Sequence, residues 1–187
     1  MMLETGLIDG FLSASVRIAT PLMLAALGEM LAERGGVINL GVEGAMLSGA
    51  LAAALGAASG GAWAGLAASA AAGLAISMVF AVVAIGARAD QIISGTAMTL
   101  LAVGLTGAVY QAAFGSTGAG LSLPTLAPVA VPGLAAVPFI GPALFNQPVT
   151  TYLALLAVPS CWWFLFRSRT GLALRAVGES PERARAA

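Results

Sequence analysis

Long apolar stretches alternate with short polar or glycine-rich interruptions along this chain. A helix needs about 20 apolar residues to cross the hydrocarbon core of a membrane. Stretches of roughly that length recur, and we interpret each as a membrane-spanning helix. The five predicted spans cover residues 11–31, 37–58, 63–86, 91–114 and 149–166.

The first predicted span contains Arg17, and a charge is unusual inside a membrane. An arginine there can extend its long side chain to the membrane surface. The competing interpretation is an amphipathic helix that lies on the surface instead of crossing the membrane. The sequence leaves both interpretations open.

Residues 115–148 differ in character from the predicted spans. Six of the nine prolines lie here, and no residue is charged. Because proline removes a backbone donor that a helix needs, the pattern argues against a straight span. We predict an external loop with one short helical piece, partly packed against the membrane domain, on which a partner that delivers solute could dock.

Small residues recur at every fourth position of the second and third spans, which are separated by a predicted turn at residues 59–61. Such rows let helix backbones approach closely, which is how helices associate in lipid. We therefore expect close helix contacts along them. The rows are Gly41, Ala45, Gly49, Ala53 and Ala57 in one span, and Gly65, Ser69, Gly73 and Ser77 in the other.

The composition is that of an integral membrane protein. Of 187 residues, 59% are hydrophobic and only 9% are charged, too few to cover the surface of a water-soluble domain. The predicted fold is an all-α polytopic transmembrane helical bundle that forms a single domain over residues 1–187. The formal net charge is zero, so no electrostatic argument favours nucleic acid as a partner.

Missing residue types exclude several kinds of chemistry. All eight basic residues are arginine, so the lysine of a phosphate-binding P-loop is absent. Histidine, the commonest metal ligand and general base, is absent as well. The single cysteine, Cys161, cannot form an intrachain disulfide and is expected to be a buried apolar residue. We predict no catalytic residue, metal site or cofactor in this chain, and we do not expect an enzyme.

Arginines are distributed unequally between the two sides of the predicted spans. Positive residues flank membrane helices mainly on the cytoplasmic side. The turn at residues 59–62 and the loop at 115–148 contain none. This distribution predicts an external N-terminus and places residue 187 in the cytoplasm. The arginines assigned to the cytoplasmic side are Arg34, Arg88, Arg167, Arg169, Arg175, Arg183 and Arg185.

The segment 28–49 combines charges, glycines and apolar residues. Two glutamates and Arg34 precede Gly35 and Gly36, after which apolar sequence resumes at once. One interpretation is a helix broken near residues 35–43, whose exposed backbone lines a cavity within the membrane. The other is a cytoplasmic turn whose acidic side chains lie among lipid headgroups.

A polar solute that crosses an apolar bundle needs hydrogen-bond partners along its path. Polar residues near the predicted break and at the start of the fourth span are the available candidates. Alternatively, the serine and threonine hydroxyls bond to their own or a neighbouring helix, and Glu43 pairs with Arg34 or caps a helix. The candidates are Asn39, Glu43, Gln91, Ser94, Thr96 and Thr99.

The tail, residues 170–187, has a composition unlike that of the spans. Residues 172–177 predict one or two helical turns, Gly178 a helix end, and Ser180 with Pro181 the start of another helix. Such an angled helical corner is suited to docking against another protein. The alternative is a basic segment attracted to anionic membrane lipid, although its acidic residues do not fit that role.

Three separated stretches resemble the permease subunits of bacterial ABC importers, in the branch that takes up nucleosides and simple sugars. This branch is related to ribose and branched-chain amino acid permeases. The stretches are GE–LAERGGVINLGVEGAML–GA at 28–50, ADQIISG at 89–95 and GLALRAVGESPE at 171–182. They occur in the family's order. Because family members continue into further spans, the chain resembles the N-terminal part of a permease.

The resemblance implies import of nucleosides or related sugar-containing solutes by alternating access. An extracytoplasmic solute-binding protein would deliver the solute, two permease subunits of the same or related chains would enclose its path, and ABC ATPase subunits would bind ATP. The tail would be the coupling segment that enters a groove on the ATPase subunit. Its residues are Leu172, Leu174, Arg175, Val177, Gly178, Glu179, Pro181 and Glu182.

Two other functions fit the residues without the resemblance. A secondary transporter of a small polar solute would use an ion gradient and would need an acidic residue within the membrane, for which Glu43 is the deepest candidate. A helical scaffold with no transport role is favoured if the segment 28–49 is a plain surface turn.

Overall fold

The structure is a computed structural model that describes residues 2–115, 122–135 and 140–180. Contacts divide the chain into two compact units, Met1–Gly36 with Leu126–Ala187, and Val37–Thr125. The elements in chain order are helices α1 (Met2–Arg34), α2 (Val42–Ala81) and α3 (Gln91–Phe114), strand β1 (Val129–Ala130), helix α4 (Ile140–Phe145), strand β2 (Asn146–Gln147), and helices α5 (Val149–Arg167) and α6 (Arg169–Glu179).

Within the described residues, four helical segments are long and apolar enough to cross a membrane. Many of their outward side chains are apolar, as lipid requires; Leu100 and Leu101 of α3, for example, are 69% and 68% exposed. The predicted all-α polytopic fold is therefore confirmed. The segments are Gly6–Arg34, Val42–Gly86, Gln91–Phe114 and Val149–Arg167.

The segment Val42–Gly86 is long enough for two spans. As a straight helix its 45 residues would measure about 67 Å, roughly twice the hydrocarbon thickness. At Gly61 the backbone leaves the helical region (φ 82°, ψ −179°) and adopts a conformation that glycine tolerates. The helix folds back there, so residues 42–60 and 62–81 form the two arms of a hairpin. The turn predicted at residues 59–61 is thus present, and a helix corresponds to each of the five predicted spans, although the second begins at Val42 and not at residue 37.

Small residues hold the two arms of the hairpin together. A Cβ built on Gly65 would lie only 2.7 Å from the carbonyl oxygen of Ala53 in the other arm, and one on Gly49 would lie 3.2 Å from the Ser69 hydroxyl oxygen. Lipid supplies no hydrophobic driving force between helices, so close packing of this kind is what associates them. Gly73, in the same predicted row, has no neighbouring atom within 4 Å. Only part of the row therefore packs against the other arm of the hairpin.

Helix α3 begins at a side-chain cap. The Asp90 carboxylate accepts hydrogen bonds from the backbone N–H groups of Ile92 (2.9 Å) and Ile93 (3.0 Å). These donors have no partner within the first helical turn, and the cap satisfies them. Asp90 thus fixes where α3 starts after the π-helical turn Val82–Gly86 that ends the hairpin.

In the other unit, the segment before α5 is fastened to α1. The Gln147 side chain is fully buried, and its Nε2 donates to the Ser13 hydroxyl (2.9 Å) and to the Ala143 carbonyl (2.8 Å). The Thr20 and Thr151 hydroxyls, 3.1 Å apart, share a second buried hydrogen bond. Because buried polar groups require such partners, these bonds fix α1 beside the start of α5.

This arrangement accounts for Arg17. Its neighbours along α1, Ser13 and Thr20, contact residues at the beginning of α5. Arg17 is therefore level with the first residues of α5, at one edge of that span, and not with the middle of the span. Its side chain is exposed, so the guanidinium can reach the membrane surface.

The described part of the loop before α5 contains α4 and a short antiparallel pairing of β1 with β2. The Tyr152 hydroxyl joins these pieces, since it accepts from the Gln147 N–H (3.2 Å) and donates to the Val129 carbonyl (2.7 Å). The loop pattern predicts one short helix here and does not indicate the strand pair.

Replacing Gly65 with alanine should push the hairpin arms apart. Its Cβ would meet a backbone oxygen, and overpacking of this kind costs about 1–3 kcal/mol. We expect the melting temperature of the purified full-length protein in detergent to fall. Gly73→Ala makes the same change in the same arm where space is open, and alanine favours a helix by about 1 kcal/mol. It should leave the melting temperature unchanged or raise it, and an equal fall in both variants would contradict this packing.

Candidate functional site

The helical structure is interrupted where the sequence predicts a break. Helix α1 ends at Arg34 and α2 begins at Val42, so residues 35–41 are not helical. Gly36 has a φ of +82°, a left-handed conformation that side chains disfavour. The predicted interruption near residues 35–43 is therefore present.

Side chains of α3 hold the backbone of residues 37–41, which we name the irregular segment. The Gln91 Oε1 accepts from the N–H of Ile38 (2.8 Å), and the Thr99 hydroxyl donates to the carbonyl of Leu40 (3.2 Å). Gln91 and Thr99 are eight residues apart, which is about 12 Å along a helix. The irregular segment therefore runs beside the first two turns of α3 and does not stop at its end.

Two glycines permit this close approach. A Cβ on Gly95 of α3 would lie 2.8 Å from the backbone nitrogen of Gly41 and 3.0 Å from the carbonyl carbon of Leu40. One on Gly44, at the start of α2, would lie 3.0 Å from the Cα of Thr99. Sequence reasoning missed both as site residues; the available signal was the position of each glycine within a stretch that resembles the ABC permease family.

This geometry bears on the two interpretations of the 28–49 segment. A plain surface turn leaves its backbone groups to water and needs no partners along a membrane helix. Here two half-buried side chains of α3 supply an acceptor and a donor at two positions along the helix, which is what backbone without water requires. The contacts favour a broken helix that exposes backbone within the membrane domain.

The six predicted path residues fall into two groups. Gln91 and Thr99 bind the irregular segment, Asn39 belongs to it and accepts from the N–H of Gly41 (3.0 Å), and Ser94 is buried beside Gly95. These four lie together.

Thr96 and Glu43 form the second group, and both of their side chains are exposed. The Thr96 hydroxyl donates to the Ile92 carbonyl of its own helix (2.8 Å), which is the alternative anticipated for these residues. Glu43 is exposed in the first turn of α2, where the helix dipole favours a carboxylate. Contact between any of the six residues and a solute stays a prediction.

The second candidate region is α6, which follows α5 after a tight corner. The Ser168 hydroxyl accepts from the N–H of Gly171 (2.9 Å) and so caps the new helix. Gly171 is buried, and a Cβ there would overlap the carbonyl group of Phe164 and approach the Cα of Leu165 at 2.8 Å. Only a glycine at 171 lets α6 start this close to the end of α5.

The prediction for Gly178 is wrong. The sequence suggests one or two helical turns that end at this glycine, whereas α6 has 11 residues and runs through Gly178 to Glu179. A Cβ on Gly178 would overlap the carbonyl oxygen of Arg34 and lie 3.0 Å from the nitrogen of Gly36. The glycine is needed for close packing and not for a left-handed helix end. Pro181 and Glu182, and the second helix predicted there, lie outside the described residues.

The face of α6 that the chain itself leaves uncovered is largely apolar. Leu172 is 61% and Val177 is 47% exposed. Leu174 instead faces Gly35, and a Cβ built on that glycine would lie 3.0 Å from the Leu174 Cδ1. The Arg175 guanidinium lies over the Phe166 ring, 4.9 Å from its centroid, in a cation–π contact.

No group of three or more histidine, cysteine or acidic residues in the described chain could hold a metal ion. The polar groups around the irregular segment are amides, hydroxyls and backbone groups. Such groups can bind a neutral polar molecule by hydrogen bonds.

Comparison with known proteins gives a family and several relatives. Residues 11–187 match the family described as the permease component of the branched-chain amino acid transport system. A protein named as a glucose ABC transporter permease of Haloferax volcanii is 44% identical, over 94% of this chain and 53% of the relative. The guanosine ABC transporter permease of Bacillus subtilis is 36% identical, over 90% and 55%. The nucleoside ABC transporter permease of Lactococcus lactis is 34% identical, over 89% and 55%.

The chain spans about half the length of these relatives. No solved structure gives a significant match. The relatives are named as transport permeases and not as enzymes. Since the family match covers nearly the whole sequence and the helices can cross a membrane, this multi-pass membrane protein belongs to the family of permease components of branched-chain amino acid transport systems.

Proposed function

We propose that this chain is the membrane-spanning part of a permease subunit of an ATP-driven ABC importer, and that it translocates nucleosides or related sugar-containing solutes by alternating access. Membership of the permease family supports the transport role. The names of the relatives support the solute class, because glucose, guanosine and nucleosides all contain a sugar ring.

The observation that carries this proposal is the uncovered face of α6. Leu172 and Val177 are exposed on a short helix that follows the last described span. The arginine distribution puts this helix in the cytoplasm, where an exposed apolar patch marks a protein interaction site. Glu179 is exposed as well, and a carboxylate there disfavours anionic lipid as the partner. We therefore assign this face to the ABC ATPase subunit.

The other partners follow from the same proposal. The ATPase subunit binds ATP, and this chain binds no cofactor. A second permease subunit, of the same or a related chain, completes the path through the membrane. An extracytoplasmic solute-binding protein docks on the external face, which includes the loop 115–148. The complex lies in the bacterial plasma membrane with the N-terminus outside and residue 187 inside.

The irregular segment is our candidate for the wall of the solute path. A polar solute needs hydrogen-bonding groups at depth, and non-helical backbone is tolerated there where it lines a cavity. Gln91 and Thr99 hold this backbone in place from α3. Glu43 and Thr96, whose side chains are exposed, are available for direct contact with the solute.

Placing a charge on the uncovered face of α6 should release the ATPase subunit. Leu172→Asp and Val177→Asp each put a carboxylate into an interface that we expect to be apolar, where an unpaired charge is costly. We expect the amount of ATPase subunit that copurifies with the full-length permease to fall about tenfold or more, and ATP-driven uptake with it. Copurification and uptake would be measured on the same membranes.

Leu134→Asp is the matched control, since Leu134 is 46% exposed in the external loop and away from α6. It should leave copurification unchanged. Two results would count against an ABC importer: undiminished ATPase copurification in both α6 variants, or uptake that persists without ATP and collapses with the proton gradient. The second result would instead support a secondary transporter.

Removing the acceptor at Gln91 should impair transport without removing the partners. Gln91→Leu removes the acceptor for the N–H of Ile38, a bond of a kind that contributes about 0.5–1.5 kcal/mol. We expect the rate of solute uptake to fall while the ATPase subunit still copurifies. Gln91→Glu retains an oxygen at the same place and should keep most of the uptake. If both variants transport like the unchanged protein, the bond does not contribute to the path.

A further inference from the structure

We propose that the contact of Gly178 with residues 34–36 delivers movement of α6 to the irregular segment, and that Gly36 and Gly178 are positioning residues for transport. This inference rests on the proposed function, because it assumes that a partner moves α6. It adds the place at which that movement enters the membrane domain.

At this contact, backbone meets backbone with no side chain between. A Cβ on Gly178 would overlap the Arg34 carbonyl oxygen, and one on Gly36 would lie 3.2 Å from the Cα of Gly178. Gly36 also has a φ of +82°, so a side chain there is disfavoured for a second reason. Gly178 is therefore restricted to glycine by the Arg34 carbonyl, and Gly36 by its own backbone conformation and by its contact with Gly178.

Helix α6 is anchored at both of its ends. Gly171 packs against Phe164 and Leu165 at the beginning, and Gly178 packs against residues 34–36 at the end. Between them, Leu174 contacts Gly35. Close-packed atoms have little room to compress, so a displacement of α6 moves residues 34–36 with it.

The chain between Gly36 and the first bonded amide of the irregular segment is very short. Only Val37 separates it from Ile38, whose N–H is bonded to the Gln91 side chain (2.8 Å). Successive Cα atoms are about 3.8 Å apart, so one intervening residue cannot absorb a shift of several ångströms. Such a shift must displace Ile38 or break its bond to Gln91. Either outcome changes the irregular segment, which we propose lines the solute path.

The simpler alternative is that Gly178 serves packing alone. In that case a larger residue would lower stability and assembly, and the amount of solute moved per ATP hydrolysed would stay constant. A transmitting contact predicts the opposite pattern, in which the complex assembles and hydrolyses ATP but moves less solute per ATP. The ratio of uptake to hydrolysis therefore separates the two roles.

The first test uses the full-length permease with its partner subunits in proteoliposomes. We expect Gly178→Ala to lower solute uptake per ATP about tenfold, within the range that coupling residues contribute, while the ATPase subunit still copurifies. Gly104→Ala is the control, because it makes the same change in α3 where no atom lies within 4 Å. An unchanged ratio in Gly178→Ala, or a parallel loss of assembly and uptake, would overturn the proposal.

The second test asks whether the contact stays closed while the transporter works. Cysteines replace Gly35 and Leu174, which already touch, in a background where Cys161, the one cysteine among these 187 residues, and any other native cysteine are replaced by alanine. A short bifunctional thiol reagent then links them. A contact that transmits movement stays closed, so the linked transporter should keep its uptake. Loss of uptake on linking, with recovery on reduction, would show that the contact must open and would overturn the proposal.

Failure of this inference can be told from failure of the proposed function. If the unchanged full-length complex shows no ATP-driven uptake and no copurifying ATPase, the importer assignment itself is wrong. If the unchanged complex imports solute and only the Gly178 and cross-linking results go against us, the importer assignment stands and the transmission route is wrong.

Discussion

Backbone N–H and C=O groups that leave a helix in apolar surroundings must find partners inside the protein, because lipid offers none. The irregular segment meets this requirement with side chains from α3. Gln91 accepts from one amide and Thr99 donates to one carbonyl, at positions about 12 Å apart along the helix. Polar residues at the beginning of a membrane helix are thereby explained as supports for a neighbouring strip of backbone. Under the proposed function, the same strip would offer its remaining polar groups to a polar solute.

Close approach of backbones is the second condition, and glycine provides it in three places. Gly95 lets the irregular segment lie against α3, Gly65 lets the hairpin arms pack closely, and Gly178 lets α6 pack against residues 34–36. Packing and interhelical hydrogen bonds replace the hydrophobic effect between helices in lipid. A stabilising contact therefore requires small residues. In the route that we propose, the packing of Gly178 against residues 34–36 would also transmit movement of α6 to the irregular segment.

Sequence reasoning recovers what depends on composition along the chain. The lengths of the apolar stretches predict the spans. The glycine pair at residues 35–36 predicts the break between helices, and the prolines predict the loop. It does not predict features that depend on contacts between residues distant in the sequence. A glycine that ends a helix and one that packs against another backbone look identical in sequence, which is why the interpretation of Gly178 failed. The depth of Arg17 follows from hydrogen bonds between α1 and α5, and the two-residue strands are too short to leave a pattern.

Helix α3 holds the amides of the irregular segment within the membrane domain. Hydrogen–deuterium exchange of the full-length protein in lipid nanodiscs measures this directly at the amide of Ile38. We expect slow exchange, comparable with that of amides inside α3, and faster exchange when Gln91 is replaced by leucine. Rapid exchange in the unchanged protein, at the rate of an open surface turn, would contradict it.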